Sequence, residues 1–232
     1  MVCISGLGVL KASDQTNEQL LYKGDSLFKA NNYTEAYKCY ESLWNQRLYS
    51  QQMLLKMAYV KEALGDHTRA LYFLNLYYHF EPDMKTLNKM QELADVHDLS
   101  GYAFDDYEYF VSIYHRYYTE IAIGGVLLGL LGVGLLFWQK RRGGELKGPA
   151  MLVGLFLLLF LIGFNYGFPL ERGIVLNDHV FVMSAPSAGA DKLTTLEAGH
   201  RVKVIEKHDI WYKVEWANKE AFIRGNNLLV VQ

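Results

Sequence analysis

The chain has 232 residues, with 23 Lys and Arg against 25 Asp and Glu, for a net charge of −2. That length allows one or two domains, and the lack of a basic excess removes nucleic acid as an expected partner. Two cysteines, Cys3 and Cys39, exclude a disulfide framework, and Cys39 reads as a small buried apolar side chain rather than a reactive thiol.

The average composition hides a segregation along the chain. Residues 13–120 are polar and tyrosine-rich, 121–169 are almost wholly apolar apart from one basic island, and 173–232 are mixed. At the start, Val2 to Leu10 is a short apolar run ending in Leu10-Lys11-Ala12 without a positively charged n-region. Residues 1–12 are therefore expected to be a truncated secretory signal, with a loose terminus as the alternative.

Residues 17–97 repeat with a period of 34: Leu20 meets Leu54, Gly24 meets Ala58 and Ala36 meets Ala70. Small residues at those places let two helices of one unit cross backbone to backbone, while larger apolar residues fill the surrounding space. The expected helices are 18–30 and 33–47 around the turn Asn31-Asn32, then 51–64 and 67–80 around Gly65-Asp66, with Pro82 following. Period and small residues together resemble tetratricopeptide repeats. The chain departs from that pattern at Leu43, Leu48, Lys61 and Tyr77. About three units are needed to close such a core, and residues 84–97, with Met84, Leu87, Met90 and Leu93 at spacings of three, are expected to supply a half-repeat or cap. The resemblance implies protein recognition in a groove lined by the first helix of each unit. Its candidate residues here are Leu21, Asp25, Phe28 and Lys29, then Leu55, Tyr59 and Glu62.

Residues 102–120 carry Phe104, Tyr107, Phe110, Tyr114 and Tyr117 on one face of an expected amphipathic helix. That face would pack on the repeats or rest at a membrane interface, with a ligand site as the remaining alternative. Two uncharged runs follow, 121–138 and 149–168, each about as long as the roughly 20 apolar residues that cross a bilayer. Between them, 139–148 holds Lys140, Arg141, Arg142 and Lys147 against Glu145, whereas the outer flanks balance Arg116 with Glu120 and Arg172 with Glu171. Positive charge near span ends stays on the cytoplasmic side, so the short loop is expected inside and both flanking domains outside. Trp138 and Tyr166 suit the interfacial aromatic belt. The pairs Gly125/Gly129 and Gly163/Gly167 permit close helix approach, either of the two spans on each other or of two copies.

From 173 to 232 short β-rich runs alternate with turn residues, and the expected strands are 174–176, 180–183, 192–196, 201–207, 211–216, 221–224 and 228–231. So many short strands in about sixty residues suggest a small closed barrel. Val182 to Ser187, Leu196 to Val202, Trp211 to Val214, and Ala221 to Ile223 before Leu228 resemble the landmarks of bacterial SH3 domains in their order. Ala221 and Phe222 stand where that family has glycine and tryptophan, and Met183 where it has arginine. Such domains bind cell-wall peptides or proteins, so Trp211 and Tyr212 are candidate surface aromatics. Alternation lets only one of them face the core, and Trp211 is expected to be that one.

Seven histidines are scattered without ligand spacing, and the sequence holds no HExxH, GxSxG or Walker A motif. Asp105-Asp106 is an adjacent pair whose side chains diverge on a helix. No catalytic residue, metal or cofactor is expected, and an amidase-like enzyme would need a nucleophile or metal site that the sequence does not supply. The expected fold class is thus a multidomain membrane protein: an all-α domain resembling tetratricopeptide repeats, a two-helix transmembrane hairpin and an all-β SH3-like barrel. That order resembles the Bacteroides aerotolerance protein E group of Bacteroidetes. The resemblance implies a periplasm-facing adaptor in the cytoplasmic membrane, partnered by von Willebrand-type membrane proteins and a MoxR-like ATPase. The alternative is an envelope sensor that binds peptidoglycan peptide through the barrel.

Overall fold

Small residues set the helical part. The computed structural model describes residues 5–103, 106–165, 171–217 and 219–231. Its first four helices are α1 (Ser5–Lys29), α2 (Tyr33–Asn45), α3 (Gln51–Ala63) and α4 (His67–Phe80), followed by α5 (Met84–Val96). Helices α1 and α2 form one antiparallel hairpin, α3 and α4 the next. Gly24 lies against Tyr40 and Cys39, and Ala36, Ala58 and Ala70 are buried, so the residues of the 34-residue period occupy the crossings. Each hairpin turns through a left-handed residue, Asn31 in the first and Gly65 in the second, and Asp98 repeats that conformation after α5. Ser50, Asp66 and Asp83 cap the helices that follow them by accepting from Met53, Arg69 and Thr86 backbone N–H groups. Residues 5–12, expected as part of a signal, continue α1 as helix, while residues 1–4 lie outside the described residues.

Lys61, out of place in the repeat pattern, has a local account. Its ammonium sits 3.2 Å from the Asp66 carboxylate and 4.0 Å over the Tyr37 ring, so a half-buried cation is held by an anion and a π face. Burial alone would raise the Asp66 carboxyl, but hydrogen bonds from Arg69 and Lys61 outweigh it and hold its pKa below the usual range.

The C-terminal domain has strands β1 (Arg172–Val175), β2 (Val180–Met183), β3 (Lys192–Leu196), β4 (Arg201–His208), β5 (Trp211–Trp216), β6 (Lys219–Arg224) and β7 (Leu228–Val231). They form one antiparallel sheet in the order β3-β2-β6-β5-β4-β1-β7. Its core is aliphatic, built on Val175, Val180, Val182, Leu196, Val202, Val204, Val214 and Ile223. Bulges between Val182 and Met183 and between Val204 and Glu206 interrupt the ladders and bend the sheet.

The chain divides into two compact units: Met1–Phe104 with Glu171–Gln232, and Asp105–Leu170. The second holds α6 (Asp106–Arg116), α7 (Tyr118–Arg141) and α8 (Lys147–Asn165). Helices α7 and α8 are long and apolar enough to cross a membrane. They pack antiparallel, with Phe160 over Gly125, Leu157 over Gly129 and Val153 over Gly132. Gly163 faces open space, and Gly167 lies outside the described residues, as do Phe104, Tyr166 and Phe168. Most large side chains of both helices remain exposed, Leu130 and Leu152 among them, unlike those of a core helix. Helix α6 starts at Asp106, so Tyr102 is not part of it as the sequence suggested. Of the aromatic stripe, Phe110 and Tyr117 are exposed and Tyr114 is half-buried.

Candidate interaction site

Two cavities open beside α1 and α3 in the helical part of the first unit. One, of roughly 390 Å³, is walled by Leu21, Leu43, Leu48, Tyr49 and Met53, with Glu18 on its rim. The other, of roughly 660 Å³, is walled by Leu55, Leu74, Tyr77 and Met84, with Glu81, Asp83 and Lys89 around it. Leu21 and Leu55 are 34 residues apart, as are Leu43 and Tyr77, so the cavities are one feature repeated by the period of the array.

The other helix candidates have structural partners. Asp25 accepts from Tyr40 Oη and Lys56 Nζ, each at 2.7 Å, and so ties α1 to α2 and α3. Burial would raise its carboxyl, yet those two hydrogen bonds hold it below the usual range. Glu62 pairs with Lys89 at 2.8 Å, linking α3 to α5. Phe28 and Tyr59 belong to a triad with Tyr33, all three centroid separations lying between 5.6 and 5.8 Å. Lys29 is exposed. The sequence therefore placed two residues, Leu21 and Leu55, in the cavities. It missed Tyr49 and Met53, and it named Leu43, Leu48 and Tyr77 only as departures from the repeat pattern. Those departures were the available signal, because Leu43 and Tyr77, one period apart, put bulky apolar side chains where the pattern has a small one.

In the C-terminal sheet the phase of β5 differs from expectation. Val214 is fully buried, and Tyr212 and Trp216, two residues to either side, pack against the same core. Trp211 therefore lies on the outer face, half-buried beside His208 and Arg224, while Tyr212 is the core-side aromatic.

A second cluster within the same unit was not legible at all. Helix α4 packs on β1 and β7, and the segment after α5 runs along the turn into β4. Tyr102 Oη donates to Gly199 O at 2.8 Å, and Arg201 N donates to Ser100 O at 3.0 Å. The buried Arg201 side chain donates from Nε to Gly101 O at 2.6 Å and from Nη1 to Asn75 Oδ1 at 3.3 Å. Its guanidinium also lies 5.0 Å from the centre of the Tyr102 ring. Gly101 has φ +95, and a Cβ there would collide with the Arg201 carbonyl oxygen, so glycine is required twice over.

His200 closes this junction by accepting the Ser100 N–H on Nδ1 at 3.0 Å, which requires that nitrogen to be unprotonated. Burial lowers the His200 pKa from 6.5 against the opposing pull of Glu197, and the Trp216 ring lies 5.5 Å away. A depressed histidine contributes stability that is complete above its unfolded value and is lost as pH falls through the folded one. Melting at pH 7.5 and pH 5.0 should therefore show a larger acid loss for the native chain than for His200→Gln. Equal losses would remove His200 from the junction's energetics.

Residues 178–228 match the family model of the bacterial SH3 domain, which runs through the C-terminal sheet from just before β2 to the first residue of β7. None of the curated proteins matches the chain.

Proposed function

We propose that the chain is a non-catalytic, membrane-anchored scaffold whose helical array is of the tetratricopeptide type and binds a protein segment in the paired cavities. The observation that carries this is the recurrence of one apolar cavity at a spacing of one structural repeat. A surface that repeats with the fold suits an extended segment presenting apolar anchors at intervals. Membrane anchoring through α7 and α8 is supported by their length and by the apolar side chains they leave exposed. The basic loop favours a cytoplasmic position for 139–148, and so supports a periplasmic one for both parts of the first unit.

Within that proposal the finer reading is a complex of the Bacteroides aerotolerance type, with von Willebrand-type membrane proteins and a MoxR-like ATPase as partners. The bacterial SH3 match favours a second reading, an envelope sensor whose barrel binds peptidoglycan peptide.

A photo-cross-linking amino acid at Leu21 or Leu55, in the full chain in intact cells, should yield a protein adduct. Leu21→Glu with Leu55→Glu should lower that partner's co-purification at least tenfold without changing the far-ultraviolet circular dichroism. Retained co-purification would sink the cavity reading. Maleimide labelling of single cysteines at Asn226 and Glu145 (in a Cys3→Ser, Cys39→Ala background) reports the topology. Labelling of 145 alone in intact spheroplasts would place the first unit in the cytoplasm and remove both envelope readings.

A further inference from the structure

The turn between α7 and α8 collects more positive charge than its single acid, Glu145, neutralises. Lys140 and Arg141 end α7, Arg142 caps it, and Lys147 begins α8, against Glu145 as the sole acid of that turn. Among the described residues none of these four cations has a carboxylate partner. Both arginines are held by aromatic rings instead: the Arg142 guanidinium lies 3.8 Å over Trp138 and that of Arg141 lies 4.9 Å over Phe137. A guanidinium stacked on a ring keeps its N–H edge directed outward, and that edge matches two oxygens of a phosphate. Stacking also removes much of the rotamer entropy that a free arginine would lose on binding.

We infer that this turn is a binding site for the phosphate of an anionic glycerophospholipid. Arg141 and Arg142 grip the phosphodiester, and Lys140 and Lys147 add charge from the two helix ends. The inference rests on the membrane reading of α7 and α8, because only insertion of those helices brings the turn to headgroup depth. Charge alone would serve for orientation. The two ring-stacked arginines go further, since orientation needs no fixed guanidinium geometry.

Native mass spectrometry of the full chain from dodecyl maltoside micelles tests it, with equimolar phosphatidylglycerol and phosphatidylcholine of the same acyl chains. Phosphatidylglycerol should be the first lipid retained, by about fivefold or more, as expected for a basic residue acting near an anionic headgroup. Arg141→Gln with Arg142→Gln should bring the ratio to within about twofold of unity while phosphatidylcholine adducts persist. Trp138→Leu should lower the preference by about twofold through loss of the stack. Inorganic phosphate at about 10 mM should leave the ratio unchanged, because a surface-anchored headgroup gains from the whole charged turn. Equal retention of both lipids by the native chain overturns the inference, as does an undiminished ratio in the arginine double variant. Abolition by inorganic phosphate overturns it in favour of a free-phosphate site. A chain that stays monomeric in detergent-free buffer and retains neither lipid refutes the membrane reading itself, and the inference with it.

Discussion

Arg201→Ala should destabilise the first unit by about 3 kcal/mol and leave the backbone around residues 99–103 open to proteolysis. The side chain is only 6% exposed, and it carries hydrogen bonds to Gly101 O and Asn75 Oδ1 from a charged donor. Hydrogen bonds to charged groups contribute about 1.5–3 kcal/mol each, and a buried acceptor stripped of its donor costs a further 1–3 kcal/mol. Part of the effect is packing, since the buried side chain also carries an aliphatic stem that alanine removes. Arg201→Met keeps most of that stem and loses the donors, so it should retain roughly a third of the lost stability. Urea titration of the full chain in micelles, followed by tryptophan fluorescence, gives the difference, because Trp211 and Trp216 report from the C-terminal sheet. Asn75→Ala, alone and with Arg201→Ala, completes a cycle whose coupling should be about 1 kcal/mol. Strictly additive losses would mean that Asn75 and Arg201 do not share a bond.

The same contacts show where sequence reasoning stops. Tyr102 and Gly199 are 97 residues apart, and Asn75 and Arg201 are 126 apart. No period or motif ties such positions together: Asn75 sits unremarkably within α4, and Tyr102 lies in the connection between α5 and α6. Local regularities behaved otherwise. Strands β2, β3, β5 and β7 have the bounds that β-branched runs between turn residues suggested. The crossings at Gly24, Ala36, Ala58 and Ala70 follow from small residues at a fixed period, a signal physically tied to backbone approach.

Phase was harder than period. Alternation in Trp211 to Trp216 showed a strand with two faces, but it did not say which face was inward. The aliphatic Val214 decides it, and a rule that followed the aliphatic residue rather than the largest aromatic would have put Tyr212 inside. In the candidate cavities, Leu21 and Leu55 were legible as helix positions turned from the crossing. Leu43 and Tyr77 stood out only as departures from the repeat pattern, and no period reports that they wall a cavity.

The crossing of α1 and α2 gives the second large effect, and its sign opposes intrinsic propensity. On an exposed helix Gly24→Ala would be worth up to about 1 kcal/mol of stabilisation. Here the added Cβ would stand 2.8 Å from Tyr40 Cε1 and 3.2 Å from Cys39 Cβ, tighter than carbon atoms pack. The Tyr40 ring is fully buried, and its hydroxyl is fastened to Asp25, which also holds Lys56. It cannot swing aside without releasing a bond that joins three helices, so α1 must move off α2 instead. Overpacking of this kind costs about 1–3 kcal/mol, and the net effect should be a loss of about 1–2 kcal/mol. At the equivalent place in the next hairpin, Ala58 is accommodated, so the restriction comes from Tyr40 and not from the repeat as such. Tyr40→Phe frees the ring from its anchor, and in that background Gly24→Ala should lose at least half of its cost. Thermal unfolding of the four variants measures both. A stabilised Gly24→Ala variant would show that α1 and α2 do not meet at this glycine, and the first cavity, whose walls include Leu21 and Leu43 from those two helices, would lose its shape with the crossing.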